Sequence, residues 1–268
     1  RRAAQIDKDG NVTLSSEIPA GKPAAEKSAE DGTGESQPLY MSLNHVMEYY
    51  IFAYYFQPAT EVRCTDIPYG EYYRTYGQLA LSMQKYNGAK KAYERAIAWN
   101  PVDLDAYLGL AEVYKYQNQR EKYLTVTKQA YRYCCTRATM ARYYRNMAFY
   151  YLSGYEPETA RACYQYSNVY YHTENADSEL KYISEAIQQE TPQTDIRAIQ
   201  KLFDEKQIEP GPDSQTIGIV YKVGEILLKD GDYKLAKDCY SIVYDITQDA
   251  AAEKMLNELE AAISGSEE

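Results

Sequence analysis

The side chains that could do chemistry are few and badly spaced for it. His45 and His172 are the only histidines, 127 positions apart. The five cysteines are Cys64, Cys134, Cys135, Cys163 and Cys239. None forms a C-x-x-C pair, and the adjacent Cys134-Cys135 is not a metal-ligand spacing, so no His/Cys zinc site is expected. Reduced, buried, apolar cysteines are the simpler reading. Asp7, Asp9 and Asn11 alternate as in a calcium loop, but such a loop needs Gly sixth and Glu twelfth. Here Gly10 is fourth and Ile18 is twelfth. Nucleophile elbow, Walker loop, His-Glu-x-x-His and dinucleotide fingerprint are all absent. We therefore expect no enzyme activity and no cofactor.

Charge is more informative. The chain has 29 Lys+Arg against 39 Asp+Glu, a formal net charge of -10, and a nucleic-acid binder would ordinarily be basic. Yet no acidic residue occurs from Lys122 to Tyr155, where Lys122, Lys128, Arg132, Arg137, Arg142 and Arg145 stand. Arginine suits carboxylate or phosphate. This reversal of sign reads either as a docking patch for an acidic segment or as a solvated face paired with acids such as Glu112 and Glu174.

The elements that must position these residues follow from composition and period. Of 268 residues, 45% are hydrophobic, enough for a substantial core, while Gly (14) and Pro (10) are sparse, favouring long helices. No run of 18 uncharged apolar residues occurs, so no transmembrane helix is expected within the chain. The chain opens Arg1-Arg2-Ala3-Ala4 without an initiator Met, so we expect a fragment or processed form, with room for a membrane anchor or another domain upstream. Residues 1–38 lack aromatics and read as a flexible linker, apart from a small hairpin around Asp9-Gly10. Residues 39–57 are apolar nearly all round and predict a buried helix, and 58–69 a loop.

From residue 70 a 34-residue unit repeats. In 70–103, Gly77 lies where two helices approach, Ala89, Tyr93 and Ala96 share one face, and Asn100-Pro101 closes the unit. The second unit, 104–137, has Tyr107, Leu110-Ala111 and Ala130 at matching places, with Tyr123 and Thr127 departing. The third, 141–174, has Tyr144, Met147-Ala148, Tyr151, Ala160, Tyr164 and Ser167. The last, 217–250, has Val220, Val223-Gly224, Leu227, Tyr233, Ala236, Tyr240 and Val243. Residues 175–208 read as a degenerate helix pair, with Pro192 opening the second helix, and 249–263 as a capping helix. Most of the 31 tyrosines are expected between helix layers. Tyr116 and Tyr221 lie off the buried places.

This pattern resembles the tetratricopeptide repeat family, with small residues at the eighth, twentieth and twenty-seventh places. The resemblance implies an all-α right-handed α-solenoid of helix-turn-helix repeats with a C-terminal capping helix, occupying 39–268. It also implies a non-enzymatic scaffold that binds a protein or peptide in a concave groove. The family's groove places fall at Glu71, Arg74, Gln78, Leu81 and Ser82; Asp105, Leu108, Glu112, Lys115 and Tyr116; and Arg142, Arg145, Phe149, Leu152 and Ser153. One subset of the family clamps a terminal carboxylate with Lys-x-x-x-Asn, Asn and Lys-x-x-x-Arg. Arg74 and Gln78, Glu112, and Arg145 and Phe149 stand there instead, and Glu112 would repel a carboxylate. The expected groove residues are thus Arg74, Gln78, Leu108, Glu112, Tyr116, Arg142, Arg145 and Phe149. The expected partner is a protein or peptide with an acidic segment, not nucleic acid. A glycan or peptide-fragment receptor, or a non-catalytic subunit of a larger complex, is the alternative.

Overall fold

The computed structural model describes residues 5–6, 12–13 and 38–265. The other positions of the expected linker, including Asp7, Asp9 and Asn11, lie outside the described residues. Two compact units divide the chain, 1–106 and 107–268.

In the first unit, β1 (Gln5–Ile6) and β2 (Val12–Thr13) pair antiparallel, as the hairpin reading required. The stretch 39–69 corrects two expectations. It folds as β3 (Leu39–Met41), α1 (Val46–Phe56) and β4 (Val62–Cys64), with β3 and β4 parallel. The helix starts late because Glu48, at its third position, accepts from the Asn44 N–H and from Asn44 Nδ2 at 3.2 Å, which fixes the entry turn there. Nor is α1 buried all round. Ile51 and Phe52 are buried, while Tyr49 and Tyr54 are exposed, phenol being tolerated at a wet surface where Leu or Phe would not be favoured.

α2 (Tyr69–Ser82) and α3 (Tyr86–Trp99) form the first repeat. Gly77 is buried where the helices meet. A Cβ there would stand 3.0 Å from ring carbons of Tyr93, so only glycine allows this approach without displacing the ring. Ala89, Ala92 and Ala96 complete the buried face of α3. Strand β3 leads into the repeat through the Ser42 N–H, which donates to the Trp99 carbonyl (3.0 Å), and the Ser42 hydroxyl, which accepts from the Gly70 N–H (3.0 Å).

α4 (Leu104–Tyr116) crosses the boundary between the units. The second unit continues with α5 (Arg120–Tyr131), α6 (Arg137–Ser153), α7 (Pro157–Tyr170), α8 (Glu174–Ile187), α9 (Ile196–Lys206), α10 (Ser214–Lys229), α11 (Tyr233–Thr247) and α12 (Ala250–Gly265). Within this unit the strongest packing is between the paired helices α6 and α7 and α10 and α11, and α12 packs on α11 as the capping helix was expected to do. Gly224 repeats the role of Gly77, its Cβ position lying 3.0 Å from Tyr240 Cζ. α6 begins four residues before the third repeat unit, because Thr136 and Thr139 form a reciprocal capping box. Pro192 does not open α9. Asp195 caps that helix, accepting from the N–H groups of Arg197 and Ala198, and Pro192 stays in the preceding loop with its carbonyl accepting from Gln165 Nε2 at 2.7 Å.

The loop between α9 and α10 is held by tyrosines. Tyr144 Oη donates to the Glu209 carbonyl (2.8 Å), Tyr166 Oη to that of Pro210, and Tyr131 Oη to that of Gly211 (2.9 Å). Behind them Tyr144 stacks on Phe203 and meets Tyr166 edge-on. Thr216, early in α10, donates to the Arg132 carbonyl. These bonds bring the last helix pair back to the α5–α6 turn.

Candidate interaction face

Arg74 and Gln78 lie in the first unit and the other six expected groove residues in the second, and the eight have different fates. Arg74 is not available to a ligand. Its Nη1 lies 3.0 Å from both carboxylate oxygens of Asp103 and 3.8 Å from Asp105. Asp103 also caps α4, its Oδ1 accepting from the Ala106 N–H at 3.1 Å, so this ion pair is a joint between α2 and the start of α4. Gln78 is exposed. Leu108 is corrected too: it is buried, its apolar side chain packed away from solvent, and offers no surface.

The remaining five fall on two neighbouring helices. On α6, Arg142, Arg145 and Phe149 follow at spacings of three and four, which places them on one face. On α4, Lys115 stands across from Phe149, and Glu112 and Tyr116 share its side of the helix. Lys115 Nζ lies 4.4 Å from the centre of the Phe149 ring, a cation–π contact, and 3.9 Å from Glu112. Tyr123 of α5 meets Phe149 edge-on from below, and its hydroxyl donates to the Asn146 carbonyl at 3.1 Å. Tyr116 is exposed at the end of α4.

The two arginines are the unusual feature. Several other guanidinium groups are matched: Arg63 with Glu61, Arg74 with Asp103, Arg161 with Glu158 (though its Nη1 is also buried without a hydrogen-bond partner), and Arg137 with the carbonyls of Tyr170 and Val169. Arg120 lies over the Tyr150 ring and donates to the Tyr150 carbonyl. Among the described residues no acid stands within ion-pair distance of Arg142 or Arg145, Glu112 and Glu174 included. Arg145 Nη1 is buried with no hydrogen-bond partner. Its pKa is pushed down, first by burial and then by the like charge of Arg142, with Tyr164 opposing. A guanidinium stays charged regardless, so the face holds two cations in want of an anion. Glu112 and Glu179 lie farther out; each helps, after burial, to raise the pKa of a phenol, Tyr123 and Tyr164 respectively.

The basic run is thus not one patch. Arg137 closes the end of α7 and Lys122 sits 5.7 Å from the centre of the Tyr114 ring, whereas Arg142 and Arg145 alone of the run share a face with Phe149. Lys115 was named only as a place in the groove; its cation–π contact joins the two helices, and the place spacing was the signal for it. The cysteines are free thiols, four of them at least half-buried and Cys64 exposed. Burial raises Cys134 and Cys163, and pushes Cys135 up to about 11 and Cys239 to about 12. No helix among the described residues is long and apolar enough to cross a membrane.

The tetratricopeptide repeat family model matches residues 70–103. No curated protein matches the sequence. Similar solved structures include the Cut9–Hcn1 hetero-tetramer of the APC/C, with 13% identity, a TM-score of 0.41, and coverage of 72% of this chain and 36% of that one. The chain thus spans about a third of the Cut9–Hcn1 chain it matches. The TPR2AB domain of yeast Sti1 in complex with pHSP90 gives 12% identity, a TM-score of 0.41, and coverage of 72% and 70%. YrrB, described as a TPR protein with an unusual peptide-binding site, gives 15%, 0.37, 72% and 92%. The match to the tetratricopeptide repeat thus falls on the helix pair α2 and α3, residues 70–103.

Proposed function

We propose that the chain is a non-catalytic interaction scaffold, and that the α4–α6 face of its second unit takes an acidic peptide segment. The observation that carries this reading is the pair Arg142 and Arg145, unmatched by any acid in a chain of net charge -10. A buried guanidinium donor without a partner is destabilising by about 1–3 kcal/mol, and an incoming carboxylate relieves that cost. Phe149, topped by Lys115, supplies an apolar and cationic neighbour on the same face.

The geometry also sets a motif. From Arg142 to Phe149 is seven helical residues, roughly 10 Å along the axis. An extended peptide covers that in about three residues. The preferred ligand is then Asp or Glu with an apolar or aromatic residue three positions away. Glu112, at the edge of the face, disfavours a run of acids that extends past Phe149.

Fluorescence anisotropy with a labelled twelve-residue peptide of that pattern tests this. Binding should weaken by at least about tenfold in Arg142→Ala or Arg145→Ala, and fall further in the pair. Equal binding by the wild type and the double variant would refute the assignment. A peptide with the acids replaced by amides is the matched control.

A further inference from the structure

The exposed side of α2 carries a second surface that the arginine face does not explain. Tyr72, Tyr76, Leu79 and Met83 follow at spacings of four, three and four, along one line of the helix and its cap. Side chains of this size belong in a core, yet these are 61%, 56%, 57% and 53% exposed. The exposed residues beside them are Thr75, Gln78 and Ser82, all uncharged, with Glu71 exposed at one end and Lys85 at the other. On α2 the charged residues are Glu71 at the N-terminal end and Arg74, which is held by Asp103. A quarter of the chain is charged, so an apolar stripe with an uncharged polar margin is a marked departure. Apolar centres rich in Tyr and Met and poor in charge are the composition of protein interfaces.

We propose that this stripe is a homodimer contact, with a second copy of the chain laid antiparallel against it. The order of the residues argues for a copy of itself. The aromatic pair occupies one half of the stripe and the aliphatic pair the other. A two-fold axis near Gly77 and Gln78 places Tyr72 opposite Met83 of the second copy, and Tyr76 opposite Leu79 of the second copy. Each ring then meets an aliphatic or thioether group, a favourable match for sulfur and aromatic faces. A parallel arrangement gives no such pairing and aligns the two helix dipoles. The uncharged centre of the margin also matters, since two copies each of net charge -10 repel one another, and the antiparallel arrangement brings exposed Glu71 at one end of the stripe toward exposed Lys85 of the second copy. The available area is modest. Four large side chains and their polar neighbours offer on the order of 500 Å² per copy, at the lower end of a specific interface, so a weak dimer is expected, with a dissociation constant in the micromolar range.

Sedimentation equilibrium of the full chain from about 1 to 200 μM tests this. A mass rising from monomer to dimer in the wild type, and fixed at monomer in Tyr76→Glu and in Leu79→Glu, is the expected result. Both changed residues are more than half exposed, so the variants should fold; circular dichroism verifies it. The orientation is tested in a Cys64→Ser background. Tyr72→Cys mixed with Met83→Cys should cross-link as a heterodimer, faster than either alone. A wild type that stays monomeric throughout overturns the proposal, and Met83 protected from peroxide in that monomer would show that another part of the same chain covers the stripe. A dimer that survives both glutamate variants overturns it equally, placing the contact elsewhere.

Discussion

At the residue scale, Arg145 is a liability to the fold that the proposed acidic partner would relieve. Its buried Nη1 has no partner and its neighbour is Arg142. Replacing it with Met keeps the volume and removes the unmatched charge. Arg145→Met should therefore raise stability by about 1 kcal/mol in urea unfolding while weakening acidic-peptide binding. A loss of stability would mean that the guanidinium serves the fold instead. Glu48 is a second exposed consequence of burial. Its carboxylate accepts from Asn44 and Asn100, but burial dominates and raises its pKa above the ordinary 4.5, with Asp103 adding to the rise. The folded state thus holds the proton more tightly than the unfolded one, so this group's contribution is greatest below pH 4.5 and declines as pH rises through the folded value. Measured from pH 4 to 7, melting temperature should fall more steeply in the wild type than in Glu48→Gln. Parallel curves would contradict it. The thiols give a third check: Cys64 should react with a thiol reagent in the native chain, the other four only after denaturant is added.

At the scale of elements, the turn between the two helices of each repeat shares one feature. Gln84, Asn118, Tyr155 and Gly231 occupy the fifteenth place of the four units, and all have positive φ, from 55° to 83°. Only the last is glycine. A left-handed tyrosine costs roughly 1–2 kcal/mol in backbone energy, partly offset by the entropy glycine would lose. Tyr155 is 94% exposed, so its side chain contributes little packing. Tyr155→Gly should stabilise by about 0.5–1 kcal/mol, and Gly231→Tyr should destabilise by a similar amount. Melting curves of both variants decide it, and the opposite signs would refute the argument. The tyrosine-held loop 209–211 is the other element worth testing. Tyr131→Phe, Tyr144→Phe and Tyr166→Phe each remove one hydroxyl donor to a loop carbonyl, worth about 1 kcal/mol apiece. In the triple variant, hydrogen exchange in 208–213 should accelerate while exchange in α6 and α7 keeps its wild-type rate. Unchanged exchange in the loop would show that packing alone holds it.

Much of this was legible in the sequence, for a physical reason. Helix pairs leave a 34-residue period of small and large residues, and Gly77 against Tyr93 or Gly224 against Tyr240 is a steric demand that sequence records directly. The departures arise where context overrides pattern. The aromatic run at 49–56 reads as buried, yet Tyr49 and Tyr54 face water because a phenol tolerates it. Leu39–Met41 pairs with Val62–Cys64 across α1, a contact no local window contains. For the site, Arg142, Arg145 and Phe149 came from the groove places that the resemblance implies, and helical spacing alone puts them on one face. It could not reveal that Arg74 is tied to Asp103, that Leu108 is buried, or that Arg137 serves a helix end, because each depends on a partner distant in sequence. The left-handed fifteenth place went unread for a similar reason: with Gln, Asn and Tyr there, only Gly231 signals it.

At the scale of the whole molecule, net charge frames the central claim. An acidic chain repels acidic partners at long range, so attraction must be local, and screening then has two opposed effects. Added salt weakens the contact at Arg142 and Arg145 while relieving the general repulsion, so affinity should vary less with salt than for a basic protein. The most direct test is charge exchange. The variant Arg142→Glu/Arg145→Glu is titrated with two labelled peptides that differ only in carrying Glu or Lys at the motif position, and the wild type is titrated in parallel. The wild type should prefer the Glu peptide by at least about tenfold, and the variant should prefer the Lys peptide. A variant that keeps the wild-type preference would contradict the assignment of this face to an acidic partner.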